Sequence, residues 1–511
     1  MNAPATQRHY RAPCPSCGAP VAFESAQSTH AICAYCRSTV VREGDALKRI
    51  GQMAELFDDH SPLQLGTTGH IGGQDFHLVG RLQYQYAEGV WTEWHALLAD
   101  GSSAWLSEDN GAYVFSRPFA LPPGTALPAA AQLQVGQSLR LGGRDWAVSS
   151  HVAATLHSAQ GELPRLPPPG QVFTVVELRS QDSGGHGEGA ATPRVLSIDY
   201  GDTPPALFEG QPVDLAALAL RGLKDESAAP QAQGRAFSCP HCGSPVAPKL
   251  AQSQSITCPQ CASVIDLSQG VGGELAHAEQ NHKRLRPLIA LGTTGQLKGQ
   301  PWQVVGYQAR TGRAPGDDES FNWTEYLLYN AQQGFCFLVS SDEGWSLVRP
   351  LTDAPTVEKK RRSAVYQGIR YALQWAYTAH TTAVLGEFYW QVQLGQTTQN
   401  RDYANGHKLL SSEQSAHEIT WSAGEKIDAS QVAQAFGLPA SRLEATDASP
   451  FTPARSISVV TLIIVVFIAM MLLAMCSSDD CPPDQPNCQN SSYSRTTGGS
   501  WGGYSSGGGH K

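Results

Sequence analysis

Eight of the twelve cysteines fall into two sets of identical spacing, Cys14-x2-Cys17-x15-Cys33-x2-Cys36 and Cys239-x2-Cys242-x15-Cys258-x2-Cys261, at a constant offset of 225 residues. Two cysteines three positions apart at a tight knuckle grip one ion, and a second pair carried over by a short hairpin completes a closed tetrahedral site of four thiolates. Both first knuckles, CPSCG and CPHCG, place glycine after the second ligand, where the chain must turn. The pattern predicts Zn2+ in two structural ribbon sites, with no open position for chemistry at the metal. His241, inside the second knuckle, reads as a variable surface position rather than a further ligand.

A second set of candidates is acidic. Glu93, Glu162, Glu325 and Glu387 recur beside aromatic residues or glycine, at related places in what read as four half-domains. Carboxylates repeated in this way suit a small cation or a polyamine, or else accept backbone amides at a fixed turn, and the structural role is the preferred one. His151 and His380 each follow a tryptophan by five residues and read as core or surface histidines. Catalytic signatures are missing from every structured stretch: no Walker loop, no HExxH, no GxGxxG after a strand, and GxSxG only as GGSWG and GYSSG in the glycine-serine tail. The expectation is a protein that is not an enzyme.

The elements that must position these residues are themselves duplicated. LGTTG follows each cysteine set, at Leu65 and at Leu291, and Trp91-Thr92-Glu93-Trp94 returns as Trp323-Thr324-Glu325-Tyr326 at an offset of 232. The six-residue gain falls in the turn-like stretch TGRAPGDDES. Further on, Trp146 and His151 are matched to Trp375 and His380, and Gly161-Glu162 to Gly386-Glu387. A fainter repeat aligns residues 63–80 with 133–150 and Gly299-Gln300-Pro301-Trp302 with Ala372-Leu373-Gln374-Trp375, so each β domain reads as a pseudo-twofold pair of small sheets.

Composition favours short strands: of 511 residues, 50 are glycine and 33 proline, and charged residues make up only 16%. The fold class expected is mainly β, with two zinc ribbons each followed by a small sheet or barrel-like domain, plus one C-terminal transmembrane helix. The boundaries are ribbon 1 at 10–45, β domain 1 at 60–222, ribbon 2 at 235–270, β domain 2 at 285–440, the span at 457–475 and a disordered Gly/Ser-rich tail at 476–511. Short terminal helices are expected at 214–223 and 430–438. The span ISVVTLIIVVFIAMMLLAM carries no charge and is long enough to cross a hydrocarbon core.

No apolar signal core precedes the first ribbon, so the bulk is expected on the cytoplasmic side of an inner membrane, with the short tail outside. Arg442 and Arg455 before the span, against Arg495 beyond it, agree in sign with that orientation. Reduced thiols at the ribbons agree as well, whereas Cys481 and Cys488 would meet an oxidising space. The formal net charge of −9 argues against a broad phosphate-binding surface. The first ribbon offers Arg11, Arg37, Arg42, Lys48 and Arg49 to a nucleic acid, but the second offers mainly Lys249. Nucleic acid is therefore not the expected partner.

The string W-T-E-W/Y, the WLSEDNG and FLVSSDEG turns and the later GEL and GEF together resemble the bacterial domain of unknown function 4178, present twice, over roughly residues 63–220 and 290–440. The ribbons and the C-terminal span resemble the usual accompaniments of that family. The first copy departs from the pattern at 180–193, where a glycine-rich insertion replaces the compact segment ending in Asp402-Tyr403. The resemblance implies no assigned activity; it implies envelope-stress and polyamine-synthase-like neighbours. The function expected is a membrane-anchored cytoplasmic scaffold whose ribbons and β domains dock protein partners. The alternatives are a polyamine or small-cation sensor or enzyme using the repeated glutamates, and membrane-localised nucleic-acid binding.

Overall fold

A computed structural model describes residues 10–439, apart from 26, 44–45, 55–60, 88, 110–111, 182–192, 225–235, 251–252, 268–274, 281–285, 331–332, 353 and 359–360. The expected span at 457–475, the tail and its cysteines lie outside the described residues. Among those described, no helix is long and apolar enough to cross a membrane.

The chain is mainly β. The first ribbon is a hairpin of β1 (Tyr10–Pro13) and β2 (Pro20–Phe23), followed by β3 (His30–Ile32), β4 (Ser38–Glu43) and β5 (Ala46–Gln52). The following domain comprises β6 (Thr68–Ile71), β7 (Gln74–Gln85), β8 (Val90–Leu98), β9 (Ser103–Asp109), β10 (Ala112–Pro118), β11 (Ser138–Leu141), β12 (Arg144–Leu163), β13 (Val172–Ser180), β14 (Val195–Asp199) and β15 (Ala206–Val213). Strand order β12-β13-β14-β15-β10-β9-β8-β7 is closed by pairing of β7 with β12, which makes an eight-stranded antiparallel barrel. Closure leaves none of the eight with a free edge.

The second unit repeats this plan. Its ribbon carries β16 (Phe237–Ser238), β17 (Pro245–Val246), β18 (Ser255–Thr257), β19 (Val264–Asp266) and β20 (His277–Ala278). Its domain runs through β21 (Thr294–Leu297), β22 (Gln300–Arg313), β23 (Phe321–Asn330), β24 (Gly334–Ser341), β25 (Gly344–Pro350), β26 (Thr356–Val357), β27 (Ser363–Tyr366), β28 (Ile369–Phe388), β29 (Thr397–Asn405), β30 (Lys408–Gln414) and β31 (Ile419–Ile427). Here β28-β29-β30-β31-β25-β24-β23-β22 closes through β22 and β28. Helix α1 (Ala429–Phe436) lays Ala429, Val432 and Phe436 on the outer face of this barrel, against Tyr326 and Leu328, and ends at Gly437 in the left-handed region. At the corresponding place in the first unit, Leu215–Leu218 form a single 3-10 turn with Leu218 buried.

The half-repeat is real, but its geometry differs from two separate sheets. Each half is a hairpin followed by a meander, and equivalent strands pair with each other, β7 with β12 and β10 with β15, so that the two halves close one barrel. The frame of the duplication also needs correcting. Strands β12 and β28 start and end at an offset of 225, and their bulges, after Val148 and after Leu373, keep that offset. The counterpart of Trp146 is therefore Tyr371, not Trp375, and that of Gly299 is Gly368. Trp375 stands four residues past Tyr371, where β12 has Ser150, so matching tryptophan to tryptophan shifts the frame by four.

Candidate metal centres and a carboxylate-lined cavity

The four cysteines of each set converge. Sulfur–sulfur distances are 3.7 Å for Cys14–Cys36 and 3.6 Å for Cys17–Cys33, and 3.7 Å and 3.6 Å for Cys239–Cys261 and Cys242–Cys258. Sulfurs at the corners of a tetrahedron about 2.3 Å from a central ion stand about 3.8 Å apart, so each donor set fits one tetrahedral metal ion. All four knuckles turn alike. Gly18 and Gly243 follow the first pairs at φ 75° and 74°, while Arg37 and Ala262 take the same left-handed conformation after the second pairs. Another group, His241, His277 and Glu279, brings ligand atoms within 4.8 Å of one another at the exposed edge of the second ribbon. By strand pairing the first ribbon has Ser16, Arg49 and Gln52 in these places, so that group belongs to one copy alone.

Each ribbon is fused to its own barrel. Strand β3 pairs with the end of β12, and β18 with the end of β28. At that seam Glu162 accepts the amides of Glu24 and Ser25 at 2.6 and 3.0 Å, and Glu387 accepts those of Lys249 and Leu250, each at 2.9 Å, together with the Ser253 hydroxyl at 2.8 Å. Both carboxylates are buried. They fasten a ribbon turn to a barrel strand, the amide-accepting role.

Glu93 and Glu325 lie elsewhere and form a different pair. By register Glu93 faces Leu82 across β7–β8, and the matching place in the second half of that barrel is Val175, opposite Val152. The expected fourfold recurrence is therefore corrected to two twofold ones between the copies, because Glu162 sits on the part of β12 that runs on beyond the counterpart of β7. Strand alternation turns Glu93 and Glu325 into the barrel lumens.

Two further lumen carboxylates recur that motif reading passed over: Glu177 with Asp402 on β13 and β29, and Asp199 with Glu413 on β14 and β30. The first pair keeps the 225 offset and was accessible to a longer alignment. The second follows a change of frame at the β13–β14 insertion and was not.

In the second lumen the carboxylates are compensated from within. Glu325 accepts Trp323 Nε1 at 2.7 Å and Gln308 Nε2 at 2.5 Å and has Arg310 Nη1 at 3.6 Å. Arg310 also pairs with Glu413 at 2.9 Å, and Asp402 accepts Tyr377 and Ser411 hydroxyls at 2.9 and 2.7 Å. In the first lumen Arg165, from the segment after β12, pairs with Asp199 and Asp202, and Arg179 with Glu177 at 2.6 Å. Among the described residues, the one hydrogen bond to the Glu93 carboxylate comes from Trp91 Nε1 at 3.3 Å.

Glu93, Asp109 and Glu177 line a cavity of about 330 Å³ that continues from the first lumen to Arg310, Glu413 and Glu418 of the second unit. Its size is in the range of small-ligand sites. Burial pushes the Glu93 carboxyl up to about 7 against the pull of the Trp91 bond. Asp109, whose side chain stays exposed, is raised too, by lost hydration at the cavity and by the neighbouring charges of Glu177 and Glu108. Both groups keep accessible surface, and both line the cavity. A cation entering there would meet carboxylates for which the charged form is costly without one.

Four-cysteine ribbon, closed eight-stranded barrel, ribbon and barrel together define a tandem ribbon–β-barrel protein whose cysteine sets could each hold a metal ion, with a cavity lined by both barrels. The family model described as Domain of unknown function (DUF4178) matches residues 64–214 and 290–429, and the chain belongs to this family, with two copies in tandem. The matched stretches are the two barrels and leave out both cysteine sets. No curated protein and no solved structure matches the chain.

Proposed function

We propose that this chain is a binding protein rather than an enzyme. In this reading zinc staples each ribbon to its barrel, the cavity at Glu93 takes a small organic cation of the polyamine type, and residues 457–475 anchor both units on the cytoplasmic side of the inner membrane. The observation that carries the reading is the Glu93 carboxylate, which faces the cavity with, among the described residues, a single indole hydrogen bond, while Glu325, at the same position of the second copy, meets an indole, an amide and a guanidinium. All-thiolate coordination in a reduced compartment favours zinc among the ions such a donor set accepts. Titration of the full chain with spermidine, followed calorimetrically, tests the cavity: saturable binding that weakens in Glu93→Gln is expected, and binding indifferent to Glu93 removes the reading.

Protein docking is a second reading, favoured by Tyr35, which stands 76% exposed at the second knuckle of the first ribbon. An exposed aromatic of this kind suits a partner's apolar pocket. Crosslinking from native membranes should then recover a specific protein with the native chain and lose it with Tyr35→Ala. Recovery unchanged by that substitution counts against docking at the ribbon.

A further inference from the structure

The two lumens carry one plan with one exchange. In the second, Arg310 reaches inward from β22 to Glu325 and Glu413, donates to Thr398 Oγ1 at 2.8 Å, and lies 5.5 Å from the centre of the Trp323 ring. In the first, both carboxylates are kept, as Glu93 and Asp199, and the indole is kept as Trp91. The position of Arg310 is Tyr84, however, and that of Gln308 is Leu82, as their pairing with Trp91 and Glu93 shows. Tyr84 stacks on Trp91 at 5.0 Å. Asp199 regains a guanidinium from Arg165, outside the duplicated strands, and among the described residues Glu93 receives no such bond.

The space around the two carboxylates differs in the same direction. Tyr377 and Asn400, which fill the second lumen, are replaced by Val152 and Val175 in the first, and both valines line the cavity. Glu325 is sealed, with its side chain 1% exposed. One barrel thus holds an internal cation between both of its carboxylates, and the other keeps the carboxylates, enlarges the space beside Glu93 and brings its own cation, Arg165, to Asp199.

We infer that the barrels have divided their work: the second is filled by its own Arg310, and the first takes up from solution the group Arg310 supplies in the second, a guanidinium or primary ammonium head held by Glu93 beside the Trp91–Tyr84 ring pair. This rests on the cation-binding reading and narrows it to one barrel and one head-group chemistry. A charged hydrogen bond to a carboxylate beside an indole is the contact Arg310 makes, and it is a strong one once water is excluded. The carboxylates further along the cavity, Asp109 and Glu177, favour a second positive group on the same ligand.

The probe is agmatine, which has a guanidinium at one end and an ammonium at the other, titrated calorimetrically into the full-length, zinc-loaded chain in detergent. One site per chain is expected. Glu93→Gln should weaken binding about tenfold or more, as loss of a charge-assisted contact does. The double change Leu82→Gln with Tyr84→Arg, which rebuilds the Arg310 arrangement in the first barrel, should weaken it as much. Glu325→Gln should leave affinity within about twofold. Val152→Tyr, which fills the space as Tyr377 does, gives the same test without adding charge if the double variant fails to fold.

Failure of the native chain to bind either agmatine or spermidine overturns the cation-binding reading and this inference together. Binding that requires Glu93 but survives both the double change and Val152→Tyr overturns the division of work alone, as does a loss in Glu325→Gln equal to that in Glu93→Gln.

Discussion

A carboxylate removed from water must meet a cation or hydrogen-bond donors, or give up its charge. Glu325 meets Arg310, Gln308 and Trp323; Glu93 has its carboxyl pushed up to about 7. The sign of the resulting pH dependence follows. With a native value near 7 above an ordinary value of 4.5, the folded chain holds its proton where the unfolded chain has lost it. The contribution of Glu93 to stability is then full below the ordinary value and declines as pH rises through about 7. Urea unfolding of Glu93→Gln between about pH 5 and pH 8 should show a flatter decline than the native chain. Cation affinity should move the opposite way, rising as Glu93 ionises, and a pH-independent affinity over that window would contradict a site at Glu93.

At the scale of elements, the seam between ribbon and barrel explains residues that composition alone would leave as turns. Gly161 pairs with Gly80, and Gly386 with Gly306, where the long strand crosses the first strand of each barrel. A Cβ on Gly161 or Gly386 would stand 2.2 Å from the carbonyl oxygen of Val79 or Val305, and the two glycines have φ of 74° and 90°. Alanine at Gly386 should therefore lower stability by more than ~1 kcal/mol in denaturant titration, from conformation and close approach together. Glu387→Ala removes the acceptor of the buried Leu250 amide, the part-buried Lys249 amide and the Ser253 hydroxyl and should cost ~3 kcal/mol. Faster hydrogen exchange at Lys249 and Leu250 would localise that loss to the ribbon turn, and unchanged protection there would refute the latch. The glutamates at this seam were legible as amide acceptors. Their separation from Glu93 and Glu325 was not, because a bulge or a strand that runs past its partner changes the register without leaving a mark in spacing.

Across the whole molecule, cysteine cluster, ribbon and barrel form one chain of support, to which an ion held by the four thiolates would belong. Each thiolate cluster holds a ribbon whose strand extends the barrel sheet, so removing the ion should be felt at β12 and β28. Native protein should yield about two equivalents of zinc per chain on thiol oxidation with a colorimetric chelator present, and Cys33→Ser about one. A yield near zero from protein purified without chelator would remove the zinc assignment.

The sequence by itself determined the two convergent four-cysteine knuckle sets, the tandem duplication, the mainly β character and the family, because each depends on spacing or periodicity along the chain. Knuckles are local turns, and the duplication repeats itself in order. Tertiary structure alone decided that two half-repeats close one barrel, and which of four similar glutamates are satisfied. Those outcomes depend on partners far apart in the chain: Arg310 with Glu413, Arg165 with Asp199, Glu162 with the amides of Glu24 and Ser25. A carboxylate's charge state is set by what closure brings beside it, and closure is a property of strand register rather than of residue order.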